Sequence, residues 1–378
     1  MNVSARSAAA SKPTLTTMHA ALMLAGLATF LLGPILPLLM RQWSLTDAQG
    51  GQLLLAQFTG ATLGGATVSK RLPHAFLLGL ACAAAGFLLF AHAPGLAVAC
   101  ASLLLSGFGV GRIIASVNIL AGARFTQHTG SALARLNLSF SLGCLLSPLL
   151  AAQLASRFAL SGLLTGFAAL FLSIAATLWL ELRGLPAEPE TPVTAPRQPI
   201  FTPLFFLFAS ILFLYGGLET CLSAWLTTYA LRYGQTSLVL SQYTLVLLLC
   251  GLTAGRALAA HLLRTIGEAS LLRAALALTI TAACGLAAAH SAAVLAALAI
   301  FLGISLAPVF PANFALYMER RPTPRQAGLV LAASGLGAAA IPWLMGVVST
   351  ATHSLRLALA LPLFSAFGLL ALSFVRRP

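Results

Sequence analysis

The sequence predicts an all-α membrane protein of twelve transmembrane helices, arranged as two pseudo-symmetric six-helix bundles with both termini cytoplasmic. Three observations predict it. The composition is too apolar for water, apolar runs of span length recur along the chain, and the two halves of the chain resemble each other. Of 378 residues, 59% are hydrophobic and 7% are charged, against about 25% charged in a soluble domain. In water such a chain would expose large apolar patches, whereas lipid covers them. The net charge is +14, but the basic residues sit between the apolar runs. They form no clustered basic face, so nucleic acid is not an expected partner.

A span needs about 20 apolar residues. The first run, Leu15 to Met40, exceeds the roughly 7–15 apolar residues of a signal peptide. It is therefore read as a span, and no cleavable signal is expected. Spans two to six follow at 50–69, 74–92, 95–122, 131–154 and 159–182. The stretch 183–200, "RGLPAEPETPVTAPRQPI", carries charges and five prolines, which makes it a linker. Spans seven to twelve are 201–230, 237–262, 269–290, 292–318, 326–349 and 354–375. The expected domains are thus a first bundle at 1–183, a cytoplasmic linker at 184–200 and a second bundle at 201–378. Basic residues test the count. With both termini inside, fifteen Arg and Lys fall in inside segments and four in outside loops, Arg41, Arg157, Arg232 and Arg356. That bias fits twelve spans.

The halves align at several points. "GATLGGATVSKR" (60–71) matches "GLTAGRALAAHL" (251–262) through Gly60/Gly251, Thr62/Thr253 and Gly64/Gly255. "GFGVGRIIASVNILAGAR" (107–124) matches "GISLAPVFPANFALYMER" (303–320), and "GCLLSP" (143–148) matches "GAAAIP" (337–342). Two six-helix halves of one orientation are parallel repeats about an axis along the membrane normal. "GFGVG" follows no strand, so its glycines are read as close helix packing and not as a nucleotide loop.

This layout resembles the major facilitator superfamily, over nearly the whole chain. "FLLGPILPLLMRQWSLTDAQGGQLLLAQFTGATLGG" (30–65) looks like that superfamily's first two helices. "FLYGGLETCLSAWLTTY", "GLTAGRALAAHLLRTIG" and "GISLAPVFPANFAL" look like helices seven, eight and ten of its fucose-permease-like sugar transporters. The resemblance implies transport by alternating access, with a monomer as the expected state. Two departures stand out. Ser69 occupies the place of an acid usual in the loop between helices two and three, and the first helix has no acid. The fucose permease's own proton coupling uses an acid there, so that mechanism does not carry over.

Charges at the bilayer centre cost about 2.5–3.5 kcal/mol or more and are functional by default. Three are expected there: Arg112, Glu219 and Arg256. The other six acids fall at or beyond span ends, which leaves Glu219 as the one acid in the core. At about 1.5 Å per residue, Glu219 lies about 5 Å outward of the centre of span seven. By the same rise, Arg112 lies about 5 Å inward in span four and Arg256 about 10 Å inward in span eight. Glu219 is either a hydrogen-bonded helix–helix contact or a cavity residue that binds hydroxyls or carries a proton. Arg112 is either a partner of carbonyls within its own half or a cavity cation, and Arg256 either snorkels or serves the site. Gln57, Asn118, Asn137, Gln242 and Asn313 complete the expected substrate-binding set, with Trp225 as a stacking ring or an interfacial belt residue. Gln52, Tyr229 and Tyr243 are weaker candidates. Amides and an aromatic ring suit a sugar, although interhelical hydrogen bonding explains any single Asn equally well.

The six cysteines lie in apolar stretches without CxxC pairing and read as small buried hydrophobes. Pro34, Pro37, Pro148, Pro308, Pro311 and Pro342 are expected to break or bend helices that must rock. No catalytic set, metal spacing or cofactor motif occurs, so an enzyme is not expected. The expected function is secondary transport of a small polar solute, a sugar above others, by proton symport through Glu219. Two alternatives use the same residues: an organic-anion transporter built on Arg112 and Arg256, and a multidrug exporter with Glu219 as cation site. The expected location is a cell membrane, multi-pass, of the bacterial inner-membrane kind.

Overall fold

The computed structural model describes residues 13–68, 71–124, 129–154, 159–183, 201–262, 266–320 and 322–375. The linker at 184–200 and Ser69 lie outside them. Every described element is a helix. They are α1 Leu15–Gln42, α2 Asp47–Ala66, α3 Leu72–Ala91, α4 Leu96–Arg124, α5 Thr129–Leu154, α6 Leu160–Leu182 and α7 Pro203–Tyr233. There follow α8 Leu238–Leu262, α9 Glu268–Ala288, α10 Ala292–Leu306, α11 Val309–Glu319, α12 Pro324–Thr352, α13 Leu355–Ala358 and α14 Ala360–Ser373. Span ten is the pair α10 and α11, and span twelve is α13 and α14. Among the described residues eleven spans are long and apolar enough to cross a membrane. The exception is α2, whose Gln, Thr and Gly content dilutes its apolar surface.

Local chemistry sets the ends. Thr202 accepts from the Phe205 N–H at the start of α7, with Pro203 in the first turn. Thr323 and Gln326 form a capping box before α12, which satisfies two otherwise orphaned N–H groups. The prolines fall into two groups. Pro34, Pro37, Pro148 and Pro342 all sit inside continuous helices. Only Pro308 stands at a break, between Leu306 and Val309. A proline removes one ladder N–H, which a packed bundle absorbs. At 307–308 the chain instead restarts as a new helix.

Contacts divide the chain into two compact units. One contains α1 up to Thr29, the span from Thr59 to Leu146, and α6. The other contains Phe30–Phe58, the end of α5 from Ser147, and α7 to α14. In the first unit α3 and α6 share a ring cluster, with Phe87 5.7 Å from Phe167 and 5.8 Å from Phe171. A Cβ on Gly60 or Gly64 would strike the α4 backbone at Leu104 or Phe108, and one on Gly109 would strike α3 at Gly79 and Ala83. Gly109 and Gly111 of "GFGVG" are therefore packing glycines. In the second unit Gly251 and Gly255 meet α10 at Ile300 and Ile304 in the same way. Glycine at these points lets two backbones touch.

Large apolar side chains cover the surface of the spans. Leu180 is 60% exposed, Phe206 57% and Phe364 71%. A bilayer covers such surface, since helices hold all their backbone hydrogen bonds internally. The cysteines correct one expectation. Cys144 and Cys221 are buried, but Cys250 and Cys284 are exposed on their helices.

Candidate functional site

The charged cluster of the second unit begins with a helix period. Tyr215 and Glu219 are four apart on α7, hence on one face, which sets the phenol beside the carboxylate. The midpoint of Pro203–Tyr233 is Leu218, which puts Glu219 at the middle of its span. The Arg256 guanidinium on α8 acts electrostatically on both side chains. Tyr215 is buried, Glu219 half-buried and Arg256 exposed. The acid therefore stands one turn from a buried phenol and is itself partly open.

Close packing positions it. A Cβ on Gly216 would strike the Ser334 carbonyl of α12, and one on Gly217 would strike Ile341. The Gly216–Gly217 pair serves close approach to α12 and leaves α7 unbroken. On the other flank the Tyr215 ring lies 5.6 Å from Phe310, which stacks 5.8 Å from Phe314 at 7°. Phe310 and Phe314 are half-buried and belong to α11, directly after the break at Pro308. The second unit thus assembles an acid, a phenol, a guanidinium and two stacked rings beside a discontinuous helix.

Arg112 belongs to a different structure. It is 6% exposed and donates through Nη1 to the Thr67 carbonyl at 3.0 Å and the Thr67 hydroxyl at 3.2 Å. Thr67 follows the last residue of α2, where unpaired carbonyls concentrate negative potential. The Phe108 ring lies 5.3 Å from the guanidinium carbon. Arg112 therefore caps a helix within its own unit.

The remaining predicted residues disperse. Trp225 is 1% exposed and donates its indole N–H to the Pro342 carbonyl at 3.0 Å. It is neither an interfacial belt residue nor an exposed ring, because it plugs the contact between α7 and α12. Gln242 is buried and donates to the Pro34 carbonyl at 3.0 Å. Asn313 is buried and donates to its own helix at Val309, 2.8 Å away. Asn118 donates to the Ile114 carbonyl at 2.9 Å, and its Oδ1 is buried without a partner. Gln57 is buried, while Asn137 and Gln52 are exposed. Tyr229 donates to the Leu286 carbonyl, and Tyr243 accepts from Gln153.

Sequence reasoning missed Tyr215 and Phe310, although the spacing of four before Glu219 signals the first. It also missed Ser116, fully buried on α4 with an unpartnered hydroxyl. Among the described residues no three of His, Cys, Asp and Glu gather as metal ligands would.

Comparison with known proteins follows this geometry. A family model described as Major Facilitator Superfamily matches residues 18–342. No curated protein sequence matches. Among solved structures, a bacterial homolog of the human lysosomal transporter Spinster, in an inward-facing and occupied conformation, has a TM-score of 0.76 at 13% identity. That match covers 96% of this chain and 95% of the other. The same homolog in an unoccupied conformation has a TM-score of 0.71 at 13% identity, with coverage of 99% and 97%. The nucleoside transporter NupG, as a point mutant, has a TM-score of 0.74 at 13% identity, with coverage of 94% and 99%. At such identity the shared property is the fold.

Proposed function

This chain belongs to the Major Facilitator Superfamily, and we propose that it is a secondary transporter that moves a small polar solute past Glu219 by alternating access. As a transporter of this family it is a multi-pass membrane protein. In this reading both termini are cytoplasmic, residues 1–183 and 201–378 form the two rocking bundles, and 184–200 joins them. The membrane is a bacterial inner membrane, and the working unit is a monomer.

One observation carries the reading. A half-buried carboxylate sits at mid-span, one turn from Tyr215, whose ring lies 5.6 Å from Phe310 beside the interruption of span ten. Discontinuous helices are where transporters place substrate and coupling sites, and a mid-span acid is otherwise costly. The carboxylate accepts hydrogen bonds from solute hydroxyls, Arg256 donates, and the ring faces of Phe310 and Phe314 suit a C–H face. That chemistry fits a sugar, and symport follows when Glu219 exchanges a proton as its access changes side. The anion reading loses Arg112, whose guanidinium is committed to Thr67.

A nucleoside is the second reading. It adds a planar base to a sugar, and the stacked pair Phe310–Phe314 favours it. NupG, a nucleoside transporter, shares the fold. Purified protein screened by thermal shift against sugars, nucleosides, organic anions and lipophilic cations tests the proposal, since a ligand that binds only the folded state stabilises it. A shift with a sugar or nucleoside that disappears in Glu219→Gln is expected. A shift with organic anions alone, lost in Arg256→Ala and kept in Glu219→Gln, refutes it.

A further inference from the structure

At one end of the second unit a guanidinium stands with little to hold it. Arg273 lies in the second turn of α9, and its Nη2 donates to the carbonyl of Ser373, the last residue of α14, at 3.3 Å. The guanidinium carbon lies 4.2 Å from the centre of the Phe374 ring. A guanidinium carries five N–H donors. Among the described residues the Ser373 carbonyl is the one hydrogen-bond partner that Arg273 finds, and its Nε is buried without any. Nor does a described acid form an ion pair with it. Glu268 begins the same helix, but a step of five residues is about 140° round it. From Arg320 to Pro378 the chain has no acid, and Arg376 and Arg377 follow Phe374 within three residues.

Depth decides what can meet this charge. Helical Cα–Cβ bonds tilt toward the helix N-terminus, so the Arg273 side chain leans from its span toward the membrane surface. Its bond to the last residue of α14 agrees with that direction. Toward the bilayer middle, α9 shows Ala277 and Thr281, one and two turns past Arg273 and both exposed. The Thr281 hydroxyl turns back on the Ala277 carbonyl, which leaves this surface apolar. α14 packs on α9 and shows Phe364, Phe367 and Phe374, at 71%, 51% and 60% exposure. Those rings recur at i, i+3 and i+10, one helix face. Small side chains beside a row of rings leave a furrow in the lipid-facing surface, and the guanidinium closes its end.

We propose that Arg273 binds the headgroup phosphate of an anionic phospholipid, whose acyl chain lies in the furrow between α9 and α14. Guanidinium and phosphate oxygens form paired, charge-assisted hydrogen bonds, and basic pockets between helices suit anionic headgroups. A zwitterionic headgroup brings its own cation to a site that already has one. A free phosphate would meet the guanidinium and leave the furrow unused. In the proposed orientation the leaflet is the cytoplasmic one. The site itself stands on the guanidinium and the furrow and is independent of the transported solute.

The full chain, purified in a neutral detergent, is titrated with dioleoyl phosphatidylglycerol, dioleoyl phosphatidylcholine or inorganic phosphate, and thermal unfolding is followed. Phosphatidylglycerol should raise the midpoint by about 2 °C or more, and the other two should give less than half that rise. Arg273→Ala should need about fivefold more phosphatidylglycerol for the same rise, which is what one arginine contributes at an anionic surface. Arg273→Gln keeps a donor for the Ser373 carbonyl and serves if size exclusion shows that the alanine variant does not fold. Arg41→Ala removes an exposed positive charge elsewhere and should leave the titration unchanged. Equal rises with both lipids, or a rise with phosphate alone, overturn the site. So does a folded Arg273 variant that titrates like wild type, or an Arg41→Ala loss equal to that of Arg273→Ala.

Discussion

In the first unit Gly26 of α1 meets the Phe140 carbonyl of α5, and Gly143 of α5 meets the Met23 carbonyl of α1. In the second unit Gly216 of α7 meets the Ser334 carbonyl of α12, and Gly337 of α12 meets the Phe213 carbonyl of α7. The pairs correspond residue for residue, as do Gly64 on Phe108 and Gly255 on Ile304. Even the corners agree, since Ser44 and Gln235 both take φ 49°. The side chains added to this frame do not agree. Three residues past the paired glycines stands Thr29 in one helix and Glu219 in the other. Thr29 donates to its own helix at Ala25, while Glu219 draws partners from two helices. One residue past Gly64 is Gly65, and one past Gly255 is Arg256. In span four the position of Arg112 is that of Pro308 in span ten. Backbone contact constrains both halves alike, because only glycine fits. Polar chemistry carries no such constraint, so the two halves differ in it.

The largest expected effect breaks the shared frame. Gly143→Val and Gly337→Val each drive side-chain atoms into a facing backbone, a loss of about 3 kcal/mol or more. Thermal unfolding in detergent should show both variants failing alike. Gly166, with open space around its Cα, should tolerate alanine and gain about 0.5–1 kcal/mol from a better helix residue.

Arg112→Ala comes next and separates scaffold from site. It removes charged hydrogen bonds worth about 1.5–3 kcal/mol. The unfolding midpoint should fall while solute selectivity, read by the ligand screen, stays the same. A changed selectivity would return Arg112 to the site. Tyr215→Phe is smaller, about 0.5–1.5 kcal/mol for one hydrogen bond, but it should weaken ligand-induced stabilisation as Arg112→Ala does not. Smallest are Ser44→Gly and Gln235→Gly. Glycine relieves the left-handed strain and adds unfolded-state entropy, so each should change stability by about 0.5 kcal/mol or less. Similar values at the two corners sharpen the equivalence, and opposite signs would weaken it.

Much of the frame was legible in the sequence. Apolar run length marks helix ends to within a few residues, and paired glycines mark where helices touch. The site was legible only in part. Glu219 announces itself because an acid at mid-span has few reasons to be there. Its partner does not, since depth along a helix says nothing about which face a side chain takes. Depth placed Arg112 and Glu219 alike near mid-span, and the structure commits the Arg112 guanidinium to Thr67. For Trp225 the rise alone gave no sign that its face turns to the Pro342 carbonyl. Asp47 read as a loop acid, since its partners Arg232 and Ser349 lie 185 and 302 residues away.

The account rests on Glu219 as the group that couples solute to protons. Proteoliposomes containing wild-type protein or Glu219→Gln, supplied with the sugar or nucleoside of largest thermal shift, test it most directly. An imposed pH gradient, acid on the side of solute addition, should drive wild-type accumulation above the equilibrium level. Glu219→Gln keeps shape and hydrogen bonding but cannot ionise. It should exchange labelled for unlabelled solute at equal pH and show no accumulation with the gradient. Wild-type uptake indifferent to the gradient, or accumulation by Glu219→Gln equal to wild type, would contradict the account.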